Sequence, residues 1–178
     1  MKENFFKVFS DKRNLFGFIV GLLLVVFLYS YNAQRNLNKI NIEKTTQKVI
    51  ELKEFTTNFS KEDDFIKLYK NADKDEKLDY LLGYAKVIKT YMSDSYFDKY
   101  ISSNHHMKYL NELLKNNNET KLLNHKLIKK EIKDKDIFLD FEFEIQIGNQ
   151  IIKQRESYIF KSINVAFKII DIKSEIIK

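Results

Sequence analysis

Ile137-Phe-Leu-Asp-Phe-Glu-Phe-Glu-Ile-Gln-Ile-Gly-Asn-Gln-Ile-Ile-Lys-Gln-Arg-Glu156 is the stretch that decides the fold. Ile137, Leu139, Phe141, Phe143, Ile145 and Ile147 alternate with Asp140, Glu142, Glu144 and Gln146. A period of two places each set on its own face of a strand, one buried and one wet. Gly148-Asn149 is a two-residue hairpin signal. With that pair at the turn, Ile147 faces Gln150, Glu144 faces Lys153 and Glu142 faces Arg155. Two opposite-charge pairs on the outer face then follow from one turn, which supports the register. Asp134-Lys135 and Ile163-Asn164 mark the neighbouring turns. Strands are expected near 121–133, 137–147, 150–161 and 165–173, as an antiparallel meander.

Before the strands the period is helical. Asp73-Lys-Asp-Glu76 has the spacing of a capping box, which satisfies free N–H groups at a helix start. The helix that follows should run to about Met92, with Leu78, Leu81, Ala85, Ile88 and Met92 on one face. Tyr80, Tyr84, Val87 and Tyr91 form a second, contiguous stripe. Tyrosine combines apolar area with a polar tip and is enriched at protein contacts, so this stripe is a candidate partner surface. Cover by the preceding segment, or by Tyr96 and Phe97, is the competing reading. Asp94, Ser95, Ser102, Ser103 and Asn104 are further cap candidates. They divide off a short helix near Tyr96–Ile101 and another from His105 to about Lys115, with Met107, Leu110 and Leu114 inward. Three helices ahead of a four-stranded sheet make an α+β domain over residues 73–178.

Residues 32–72 are polar with no sustained period and read as a linker, with a short strand or helix allowed around Val49–Phe59. Leu15 to Tyr31 is a run of 17 residues without a charge. That is the lower end of what crosses a bilayer, so a transmembrane helix is expected there behind a basic tail of residues 1–14. A cleaved signal peptide competes, but Tyr31 occupies the place where a small residue should precede cleavage. Lys12 and Arg13 beside the span favour a cytoplasmic N-terminus, which would put the α+β domain outside the inner membrane. Gly17 and Gly21 form a G-x-x-x-G that permits close packing of membrane helices.

Composition narrows the chemistry. The 178 residues contain no Cys and no Pro, so disulfide scaffolds and thiolate chemistry are excluded. The net charge of +6 comes from 28 Lys and only 3 Arg, interspersed with 25 acidic groups. Nucleic-acid surfaces gather basic residues in one stripe and favour the Arg fork, so direct nucleic-acid binding is not expected. His105, His106 and His125 lack the i, i+4 spacing of a helical zinc pair. Phosphate-loop, nucleophile-elbow and zincin motifs are missing from the sequence. No cofactor, metal or catalytic residue is therefore assigned, and an enzyme is not expected.

The order of tail, apolar span, linker and domain can be set beside three segments: Asp79-Tyr-Leu-Leu-Gly-Tyr-Ala-Lys-Val-Ile88, Leu113-Leu-Lys-Asn-Asn-Asn118 and Ser157-Tyr-Ile-Phe-Lys-Ser-Ile-Asn-Val-Ala-Phe-Lys-Ile-Ile-Asp171. Together they resemble the TraE proteins of conjugative type IV secretion systems. The resemblance implies an NTF2-like periplasmic domain related to the VirB-type assembly factors. It also implies a non-enzymatic, membrane-anchored scaffold that contacts copies of itself and other channel subunits. The Pro-containing turn of some VirB-type relatives has no counterpart here. The alternative is an unrelated envelope protein with a ligand-binding NTF2-like pocket. In the hairpin register Gln154 and Glu156 share the helix-facing side with Phe143 and Phe141, so Glu156 is the one carboxylate an acid/base reading would use. A strand-end carboxylate or a satisfied buried polar group is the plainer expectation. A pilin would need a Glu early in the apolar run, and a coiled-coil divisome partner would need heptads after it; the sequence has neither.

Overall fold

A computed structural model describes residues 12–164 and 166–177. Among them, α1 (Lys12–Thr57), α2 (Asp64–Asn71), α3 (Lys74–Lys89), α4 (Asp94–Ser102), a 3₁₀ turn (His105–Met107) and α5 (Lys108–Asn116) precede four strands. The strands are β1 (Thr120–Lys133), β2 (Asp136–Ile147), β3 (Gln150–Ile163) and β4 (Ala166–Ile177), in spatial order β1-β2-β3-β4 and antiparallel throughout. The α+β class and the four-stranded meander are as the alternation implies. The chain divides into two compact units, with the boundary between Asn41 and Ile42.

The expected transmembrane helix is not found. Among the described residues no helix is long and apolar enough to cross a membrane. The apolar stretch from Leu15 to Tyr31, 17 residues, falls short of the ~20 that span hydrocarbon. The helix that contains it continues into Asn32, Gln34, Arg35, Asn36 and Asn38. The single-pass inner-membrane location drawn from that span is therefore not supported. Residues 1–11 of the expected basic tail lie outside the described residues. In the first unit, the described apolar side chains from Phe16 to Tyr31 are exposed.

In the second unit the hairpin register is the one the charges select. Ile147 pairs with Gln150, Glu144 with Lys153 and Glu142 with Arg155. The last two make ion pairs on the outer face, Lys153–Glu144 at 3.0 Å. Gly148 opens the turn at φ +56°, and a Cβ there would lie 3.0 Å from Asn118 Oδ1, so both the backbone and the neighbouring side chain favour glycine. Asp134 and Lys135 both take positive φ, as the central pair of a type I′ turn does. Reversing the charge of Glu142 or Arg155 singly should barely move the urea midpoint, because exposed ion pairs contribute little. A loss as large as a core truncation, not rescued by the double swap, would show that this face is not solvated.

The inner face of the sheet is the core. Ile137, Leu139, Phe141, Phe143 and Ile145 on β2 are at most 1% exposed, and Tyr158 and Phe160 on β3 and Ile169 on β4 join them. Helices cover this face with Val49 and Leu52 of α1, Ile66 of α2, Tyr84 and Ile88 of α3, and Leu110 and Leu113 of α5. The segment expected to be a linker thus differs from that expectation, being helix to Thr57 and again over Asp64–Asn71, and part of the core.

Several local devices set the remaining helices. Asp73 and Glu76 close a reciprocal capping box at the start of α3, as the spacing predicts. The cap of α4 is Ser93, one residue before Asp94 and two before Ser95, the expected caps, and its Oγ accepts from the Tyr96 N–H. Asn117, in the left-handed region, ends α5. The open edges of the sheet are partly occupied. Phe59 and Thr120 exchange two backbone hydrogen bonds beside β1, and Tyr91 and Ser93 bond to Ile169 of β4. Bulges and a run of lysines on β1 further discourage a foreign strand from adding there.

Candidate functional site

Two of the concave features of the second unit bear on function. The first is a polar cavity of about 360 Å³ between α1, the α4–α5 region and the inner faces of β3 and β4. Its floor is an ion pair, Lys53 Nζ to Glu156 Oε1 at 2.8 Å, with both side chains almost wholly buried. Glu156 reaches this place because it alternates with Gln154 and Tyr158 on the inner face of β3. Lys53 reaches it from α1, one residue along from the buried Leu52.

Every oxygen of that carboxylate is engaged. Oε1 accepts from Lys53 and from the Gln154 side-chain amide, and Oε2 accepts from the Tyr158 hydroxyl. Gln154 Oε1 accepts from Tyr109 at 2.6 Å, and its amide also donates to Ser174. The Lys53 ammonium lies 5.0 Å from the Phe143 ring centre and 5.3 Å from that of Tyr109, so two aromatic faces supplement its single anion. Glu156 is thus a buried polar group satisfied by its neighbours, the plainer of the two arrangements expected for it.

Burial raises the phenols around the cavity. Tyr158 is pushed well up by burial and then by the Glu156 charge, and Tyr109 is raised for the same two reasons. Tyr96 rises to about 12, chiefly by burial. These hydroxyls are donors at neutral pH rather than bases. At the mouth, burial and then the charge of Lys53 hold the Lys108 ammonium below the ordinary lysine range.

The second feature is an open apolar groove of about 570 Å³ between the C-terminal end of α1, α2 and α3. Phe55, Phe59, Phe65, Tyr80, Tyr84 and Val87 supply its apolar surface, and its charged members, Glu54, Asp63 and Asp79, are all acidic. The four residues singled out as a partner stripe do not behave alike. Tyr84 is buried at 6%, its ring 5.0 Å from that of Phe55 and its hydroxyl donating to the His106 carbonyl. Tyr80 is half-buried and edge-on to Phe65, whereas Val87 is 41% exposed. These three share the groove, and Tyr91, half-buried, is not among its lining. Leu78, expected inward, is exposed. The inward face of α3 is therefore centred on Tyr84 and Ile88, between the two stripes read from sequence. Gly17 and Gly21 lie in α1 within the first unit, and a Cβ on Gly21 would meet no atom within 4 Å.

Comparison with protein-family models, curated proteins and solved structures finds no match.

Metal chemistry has no visible seat, since no group of three or more potential ligands gathers among the described residues. His105 and His125 are exposed. His106 is buried, and burial followed by the nearby His105 lowers its pKa, which favours the neutral ring. The cavity partners Lys53, Tyr109 and Tyr158 are not evident from sequence. One signal points to this side of α1: Thr45, Val49, Leu52 and Thr56 recur at i, i+4, i+7 and i+11, and all four are buried.

Proposed function

We propose that this chain is a structural, assembly component of a conjugative type IV secretion channel, working by protein–protein contact. The observation that carries the reading is the acidic-rimmed apolar groove, taken together with the sequence segments that resemble those of the TraE proteins. An open groove with aromatic walls is suited to a side-chain ridge from another helix. Its occupant is an amphipathic helix of another channel subunit whose apolar face is flanked by Lys or Arg, complementary to Glu54, Asp63 and Asp79.

Gly83 offers a clean test. It sits in the groove wall on α3, and a Cβ there would meet nothing within 4 Å. Gly83→Ala should stabilise the fold by about 0.5–1 kcal/mol through helix propensity, and assembly should survive. Gly83→Phe should fill the groove, leave the domain folded, and remove channel subunits from material purified from the native cells, with loss of DNA transfer. Unchanged co-purification and transfer with Gly83→Phe would overturn the groove as the contact. A wild-type protein that purifies without any channel subunit would overturn the assembly reading itself, and self-association lost with Gly83→Phe would instead name a second copy as the occupant.

A further inference from the structure

The polar cavity holds more hydrogen-bond donors than its own acceptors use. Glu156 and Gln154 are fully engaged, as described above. Among the described residues Lys53 has one acceptor, Glu156 Oε1, which leaves two of its ammonium protons without one there. The Tyr100 hydroxyl, which lines the same cavity, has no hydrogen-bond partner among the described residues. Lys108, at the mouth, makes no ion pair among the described residues; its hydrogen bond there is to the neutral Gln154 Oε1 at 3.4 Å. Charge points the same way. With histidine neutral, the lining carries two ammonium groups against one carboxylate. The walls between these groups are apolar, from Leu52, Ile172, Ile176 and the rings of Tyr96 and Tyr100.

We propose that this cavity binds a small organic monoanion, a carboxylic acid with an aromatic or short aliphatic body, its carboxylate taken by Lys108 and the Tyr100 hydroxyl. One negative charge neutralises the lining, and a carboxylate supplies acceptors and no donors, which matches the imbalance. An inorganic anion would leave the apolar walls uncovered. The volume lies in the ordinary range for small-molecule sites, about 300–1,000 Å³. This site is separate from the groove and does not rest on the assembly reading.

The test is a titration of the full chain with benzoate, benzamide and inorganic phosphate, followed by amide NMR shifts. Benzoate should shift the cavity residues, with benzamide at least about tenfold weaker and phosphate without effect on them. Lys108→Gln and Tyr100→Phe, neither of which removes a buried ion-pair partner, should each weaken benzoate by about threefold or more, and Lys108→Arg should retain it. Several results would each overturn the proposal: no benzoate binding at millimolar concentration, equal binding of benzamide or phosphate, or undiminished benzoate affinity in either weakening variant.

Discussion

Lys53→Met should lower the unfolding free energy by about 3–5 kcal/mol, the cost of stranding a buried carboxylate. The methionine keeps most of the stem's packing, so the loss reports on Glu156, which is 7% exposed and, among the described residues, pairs with no other cation. Adding Glu156→Gln should recover most of it, since its amide oxygen can still accept from Gln154 while its NH2 donates to the Tyr158 hydroxyl oxygen, and the cavity floor no longer holds a net charge. Urea denaturation of the single and double variants measures both. A single-variant loss below about 1 kcal/mol would mean that water reaches the pair and screens it.

Tyr84→Ala should be nearly as damaging, at about 3–5 kcal/mol, the usual range for emptying a large aromatic site. Its ring packs between Phe55, Phe59 and Phe65, and its hydroxyl satisfies the His106 carbonyl. Val87→Ser, on the same helix but exposed in the groove, should stay within about 0.5 kcal/mol. A Tyr84→Ala protein as stable as wild type, yet defective in assembly, would return that tyrosine to the surface.

What could be read from sequence was what is encoded locally. The β2–β3 hairpin was legible because a strict alternation, a glycine turn and two charge pairs all sit within about twenty consecutive residues and agree with one another. The capping box of α3 was legible for the same reason. The core half of α1 was not, because its buried face is written largely in polar letters: Thr45, Lys53, Thr56 and Thr57 are each at most 6% exposed. A hydropathy period cannot see a face made of threonine and a paired lysine. On α3 the difficulty was the reverse. Leu78, Leu82 and Val87 remain exposed, so apolar residues ring the helix and do not mark which side is inward. The Lys53–Glu156 pair joins residues 103 apart, and no local pattern announces it.

That separation also sets an order of events during synthesis. The strands β1 to β4 follow one another closely along the chain and pair in that order, so each can pair with its predecessor soon after it emerges. The core helix cannot. Val49, Leu52 and the charged Lys53 leave the ribosome first, and Glu156, which neutralises Lys53, lies 103 residues further along. At about 5–20 residues per second, the face of that helix waits on the order of 5–20 seconds. A nascent chain stalled before Glu156 would therefore carry an ammonium where an apolar patch must later dock, which keeps the unfinished helix hydrated until its own sheet is complete.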